Sequence, residues 1–187
     1  PNAIFQFKFN ENTGHLTPNS PAKVEPEEFL GPRHFCFHPS LDVLYFSNEQ
    51  DCSVTGYRLN TGDGTLSAFQ TITTLPKGYT DQNTCSQIQV SASGRFLYAP
   101  NRGHHSIACF SIDTASGQLT GNGIVASEAR PNALCLGPQD RFLYSAGQES
   151  GRMASFSINS DSGKLTPLET YPLGKAPVWV SITELPG

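Results

Sequence analysis

The stretch Gly94-Arg95-Phe96-Leu97-Tyr98-Ala99-Pro100-Asn101-Arg102 has a counterpart at Asp140-Arg141-Phe142-Leu143-Tyr144-Ser145-Ala146-Gly147-Gln148. An earlier copy stands at Asp42-Val43-Leu44-Tyr45-Phe46-Ser47-Asn48-Glu49. The Leu-Tyr pairs are 53 and 46 residues apart. A second marker, Gly-x-Leu, falls at Gly64-Leu66, Gly117-Leu119 and Gly163-Leu165 with the same two spacings, and once more at Gly14-Leu16. Two markers moving in step define an internal repeat.

Each unit reads as four short strands. In the unit 31–76, strands are expected at 33–38, 43–49, 53–59 and 66–73, with Pro39-Ser40-Leu41-Asp42 and Thr61-Gly62-Asp63-Gly64 as turns. The unit 84–125 repeats this at 87–90, 96–100, 106–112 and from Leu119 onward. The unit 130–171 repeats it at 133–136, 142–146, 153–158 and 165–170. Strands about ten residues apart with turn signals between them, at a period of about 45–50, predict an all-β fold of β-propeller blades.

The ends fall inside units. Residues 3–9 match a third strand and 16–24 a fourth, so 1–30 is the end of a blade. Residues 178–182, within 174–187, match a first strand that would close a ring, with Trp179 packed between blades. The expectation is a single partial propeller over 1–187: two strands, three full blades and one closing strand. Such an arc has open faces and unpaired edges. Missing N-terminal blades or self-association are expected to cover them.

Composition agrees. The chain has 187 residues, 17 Gly and 14 Pro, and only 15% charged residues. That favours turn-linked strands over helices. Net charge is −4 with no basic stripe, so nucleic acid is not an expected partner. No apolar run approaches the roughly 20 residues that span a bilayer, so no membrane partner is expected. No signal peptide is visible, although the chain starts at Pro1 and an upstream segment can be missing. Five scattered cysteines without a CxxC pair read as buried free thiols in a reducing compartment, and the cytoplasm is expected.

Chemistry is expected where the first strand begins and the second ends, on one face of the disc. The repeat puts Arg33, Ser86, Asn132 and Val178 at the first position and Glu49, Arg102 and Gln148 at the second. The framework recurs while this rim changes. Arg33, Glu49 and Arg102 then stand out. Guanidiniums suit an anionic substrate or an oxyanion, and a glutamate suits proton transfer. Ordinary ion pairs at blade ends are the other reading.

His34, Cys36 and His38 share a strand face, but His34 and His38 are roughly 13 Å apart at the rise of a strand. One metal ion cannot take both, so no metal site is expected. His38 is assigned to its His-Pro turn, while His34 lies near the channel mouth, within reach of a ligand. His104-His105 reads as a solvated loop, with ligand contact by His104 as the second reading. Arg95 and Arg141 recur in turns and read as structural.

Gly31-Pro32-Arg33-His34-Phe35-Cys36-Phe37-His38-Pro39 with Leu44-Tyr45-Phe46-Ser47-Asn48-Glu49 resembles the propeller lactonase family, which includes 6-phosphogluconolactonase and 3-carboxy-cis,cis-muconate lactonizing enzyme. The run 94–107, Ser145-Ala146-Gly147-Gln148 and Gly174-Lys175-Ala176-Pro177-Val178-Trp179-Val180 extend the resemblance over essentially the whole chain. It implies the C-terminal half of a seven-bladed ring. It also implies a site of one His, two Arg and one Glu. Three of these fall on Arg33, Glu49 and Arg102, and the His lies in an earlier blade. Pro131-Asn132 departs from the Pro-Arg of many bacterial members.

The resemblance implies a lactonase acting on a small anionic sugar-acid lactone without a cofactor. Arg33, Glu49 and Arg102 would be catalytic, and His34, Asn132, Gln148 and His104 would contact substrate. The alternatives are a muconate-type cycloisomerase and a non-catalytic binding module or inactive fragment.

Overall fold

The computed structural model describes residues 2–183. Strands β1 (Ile4–Phe9) and β2 (Leu16–Val24) form a two-stranded ribbon. Three four-stranded antiparallel sheets follow in strict sequence order. The first blade holds β3 (Pro32–Phe37), β4 (Val43–Asn48), β5 (Ser53–Asn60) and β6 (Thr65–Thr73). The second holds β7 (Gln89–Val90), β8 (Phe96–Asn101), β9 (Ser106–Ile112) and β10 (Leu119–Ala126). The third holds β11 (Pro131–Leu136), β12 (Phe142–Gly147), β13 (Arg152–Ile158) and β14 (Leu165–Pro172). The sheets remain an open arc, as a partial propeller should.

One turn recurs between the third and fourth strands. Asn60, Asp113 and Asn159 each open it, and Gly64, Gly117 and Gly163 donate their N–H back to those residues' carbonyls at 2.7, 2.7 and 2.8 Å. The three glycines have φ of +75°, +74° and +68°, a left-handed conformation that costs a residue with a Cβ.

This turn explains the paired sequence markers. Tyr45 of the first blade donates its hydroxyl to the Gly117 carbonyl of the second at 2.7 Å. Tyr98 of the second donates to Gly163 of the third at 2.8 Å. In the first two blades the Tyr of Leu-Tyr therefore meets the Gly of the next blade's Gly-x-Leu. Arg95 supports the same joint, donating to the Ser160 and Asp161 carbonyls.

The core lies between blades. Tyr45, Val54, Leu97 and Phe110 form one cluster between the first two, and Tyr98, Ile107, Leu143 and Phe156 another between the next two. Each such fully buried side chain contributes about 1.5–3 kcal/mol relative to exposure. The β1–β2 ribbon buries Ile4 against Leu44, Phe46 and Tyr57.

Two details differ from the sequence expectation. Of the second blade's first strand, expected at 87–90, only Gln89–Val90 pairs as a ladder. The Gln87 and Gln89 side chains reach sideways instead: their carbonyls accept the N–H groups of Leu134 and Leu136 in β11. At the far end, residues 178–182 carry no strand hydrogen bonding. They lie beside the third blade, along a cleft with Tyr144 and Met153, where a next blade's inner strand belongs. A strand needs a partner, and among the described residues no second strand pairs with it. Trp179 is accordingly 63% exposed, not packed between blades. Residues 184–187 of the expected closing segment lie outside the described residues.

Candidate functional site

The site is built from blade ends. The β3–β4 register shifts between Pro32 and His34, which leaves Arg33 as the bulged residue. A bulge re-aims its side chain. Glu49 directly follows β4, its N–H held by the Gly31 carbonyl at 2.8 Å. Arg102 directly follows β8 in the next blade.

These three side chains converge. Arg102 Nη2 donates to Glu49 Oε1, and Arg33 Nε lies 3.5 Å from Glu49 Oε2. The Arg102 side chain is only 11% exposed, while those of Arg33 and Glu49 are about 30% exposed. One carboxylate thus sits between two guanidiniums from different blades, and the cluster carries net positive charge. Arg102 also donates from Nη2 to the Cys85 carbonyl at 3.2 Å, and its Nε is buried with no partner among the described residues.

The connection from β6 to β7, residues 74–88, builds the cradle for Arg102. The Arg102 N–H donates to the Thr84 carbonyl at 3.0 Å. Asn83 Oδ1 accepts the next two N–H groups, those of Gly103 (2.7 Å) and His104 (3.0 Å), and its Nδ2 donates to Asn101 Oδ1 at 3.0 Å. Gly103 is required by close approach: a Cβ there would stand 2.0 Å from the Gln82 carbonyl oxygen. Beneath the cradle the buried Cys85 thiol lies 3.2 Å from Thr74 Oγ1, and its proximity to Cys52 lowers the Cys52 thiol to about 7 and raises that of Cys85.

His34 sits beside the cluster. Burial lowers its pKa first, and the charge of Arg33 adds to the effect. His38 does not face the site. Its Nδ1 accepts from the Ser40 and Leu41 N–H groups, which leaves Nε2 to donate to the Gly94 carbonyl at 2.9 Å.

The remaining candidates stand apart from the cluster. Asn132 occupies the β11 bulge equivalent to Arg33, between Pro131 and Ala133. Gln148 follows β12 and is tied by its backbone to the Arg130 carbonyl. Among the described residues, no hydrogen bond joins either side chain to Glu49, Arg33 or Arg102. His104 is half-buried rather than solvated: its Nδ1 lies 2.7 Å from Ser106 Oγ, and its ring packs edge-on against Tyr79. Among the described residues, no group of three or more His, Cys, Asp or Glu is placed to share a metal ion.

Sequence reasoning did not find the neighbouring cleft. A cavity of about 540 Å³ opens beside Arg102, lined among others by Gln50, Gln82, His105, Arg130 and Glu149. The available signal was the 74–88 loop, which is longer than the equivalent connections 25–31 and 127–130. Long loops in compact folds are often functional.

Residues 2–182 match the family described as lactonase, 7-bladed beta-propeller. The chain belongs to this lactonase family. It is 34% identical to a 6-phosphogluconolactonase of Pectobacterium carotovorum over 92% of its own length and 52% of the relative. It is 34% identical to one of Yersinia enterocolitica over 90% and 51%. Among solved structures, the lactonase-family chain matches a periplasmic gluconolactonase of Pseudomonas aeruginosa with a TM-score of 0.87 and 27% identity, over 93% of this chain and 49% of that one. A Lactobacillus plantarum protein matches with a TM-score of 0.89 and 25% identity, over 95% and 51%. The chain spans about half the length of the curated relatives it matches.

Proposed function

We propose that the propeller to which this chain contributes hydrolyses a small sugar-acid lactone, as the name 6-phosphogluconolactonase implies for its relatives. The observation that carries this reading is the convergence of Arg33, Glu49 and Arg102 from two blades onto one rim. Opening a lactone requires water to attack the ester carbonyl, a place for the negative charge that develops on its oxygen, and a proton acceptor. The guanidiniums supply fixed donors for that charge. Glu49 is part-exposed. A carboxylate has about four lone-pair sites, so accepting from the arginines leaves capacity for a water proton.

His34 faces the same rim and serves as a substrate contact in its neutral form. Asn132, Gln148 and His104 belong to the wider rim and would contact the sugar hydroxyls. The exposed faces at the two ends of the arc are covered by the remaining blades of a seven-bladed ring. Five free thiols support a cytoplasmic location, and among the described residues no helix is long and apolar enough to cross a membrane.

The test is Glu49→Gln in the protein, assayed on 6-phosphogluconolactone and gluconolactone. General-base loss should lower kcat by about 10²–10⁴-fold while the circular dichroism spectrum persists. Undiminished turnover would remove Glu49 from the reaction. Assaying a carboxymuconate in parallel separates hydrolysis from cycloisomerisation.

A further inference from the structure

The cleft beside Arg102 has a composition that the Glu49 cluster does not explain. Arg102 and Arg130 reach it from successive blades. Between them stands His105, whose Nδ1 accepts the Arg130 N–H at 3.0 Å. That bond fixes the neutral tautomer and leaves Nε2–H as a donor. Gln50 and Gln82 add amides, and Glu149 is the single carboxylate of the lining.

The backbone is held in place at a conformational cost. His105 and Arg130 both adopt left-handed φ, +52° and +57°, although neither is glycine. The Ser127 N–H secures the His105 carbonyl at 2.8 Å. Two linked strained residues that present a guanidinium and an imidazole to one cavity match the way strain concentrates at ligand sites.

We infer that this cleft is an anion subsite, which takes a phosphoryl or carboxylate group carried by the substrate between Arg102, Arg130 and His105. Guanidinium forks and an N–H donor match such oxygens. Glu149 accepts from a hydroxyl of the same ligand and disfavours a second anion. Arg102 belongs to both places, so an anion seated here would set the reach of the ligand toward Glu49. The assignment to substrate rests on the lactonase reading, but the anion site itself does not.

The experiment measures binding of inorganic phosphate and, separately, acetate to the protein by calorimetry. The variants are Arg130→Gln and Arg130→Lys, with thermal unfolding to verify that each is folded. Saturable binding of one anion, weakened about tenfold in Arg130→Gln and less in Arg130→Lys, is expected. Tighter phosphate binding identifies a phosphoryl group, and tighter acetate binding a carboxylate. Wild-type protein that binds neither anion overturns the proposal, as does Arg130→Gln binding as tightly as wild type. Gluconolactone turnover is measured alongside. Turnover without anion binding sinks the subsite alone, and anion binding without turnover of any lactone sinks the lactonase reading alone.

Discussion

The hydroxyl of Tyr45 donates to the carbonyl of Gly117, 72 residues later, and the bond is buried in the joint between two blades. Tyr98 and Gly163 repeat the relationship one blade on. Burial pushes the Tyr98 and Tyr45 hydroxyls far above their ordinary titration range, so both remain protonated donors.

Tyr45→Phe removes the donor and leaves a carbonyl unsatisfied in a closed joint. The expected loss is about 1–3 kcal/mol, and Tyr98→Phe should lose a similar amount. Urea unfolding of the single and double variants checks this. The joints share no partner, so the two losses should add to within about 0.5 kcal/mol.

Asn83 is a positioning residue for Arg102. Asn83→Ala releases the Gly103 and His104 N–H groups together, so lactone kcat should fall while KM changes less. Asn83→Asp keeps both acceptor bonds but sets a carboxylate oxygen against Asn101 Oδ1, so it should recover part of the lost kcat. A purely structural role would lower thermal stability without that rescue of kcat. Gly103→Ala should be worse than either, because its Cβ overlaps the Gln82 carbonyl. Steady-state kinetics with melting curves distinguish these outcomes.

His34 predicts an acid limb. Its folded pKa lies below the ordinary 6.5 because of burial and then Arg33. On acidification the unfolded chain therefore takes the proton first. Stability from this group is complete above about 6.5 and declines as pH falls through the window below it. His34→Gln should flatten that part of the profile, which denaturant midpoints measured across pH will show.

The blades were legible because a propeller repeats its turns. An Asx residue followed four positions later by a left-handed glycine leaves a mark that survives changes in the strands. The rim triad was legible for the same reason, since the repeat fixes which residues end β4 and β8. The cleft was not legible. Asn83, His105 and Arg130 lie in connections of unequal length, and no register relates one to another. They come together only when the 74–88 loop folds back over Gly103 and His105 meets the Arg130 N–H. Trp179 failed for a third reason. Its sequence reports the environment of an inner strand, and burial there depends on a neighbouring sheet beyond the strand itself.

The two ends of the arc are unlike. One shows the outward row of Phe5, Phe7 and Phe9 on β1, each more than half exposed. The other shows Leu173 and Trp179 beside the third blade. A contact between unlike faces is head-to-tail, not two-fold. Such a contact closes only if its rotations sum to a full circle, and otherwise it propagates. The same blade-to-blade step that makes a ring within one polypeptide is therefore, between separate copies of this arc, the geometry of a growing filament.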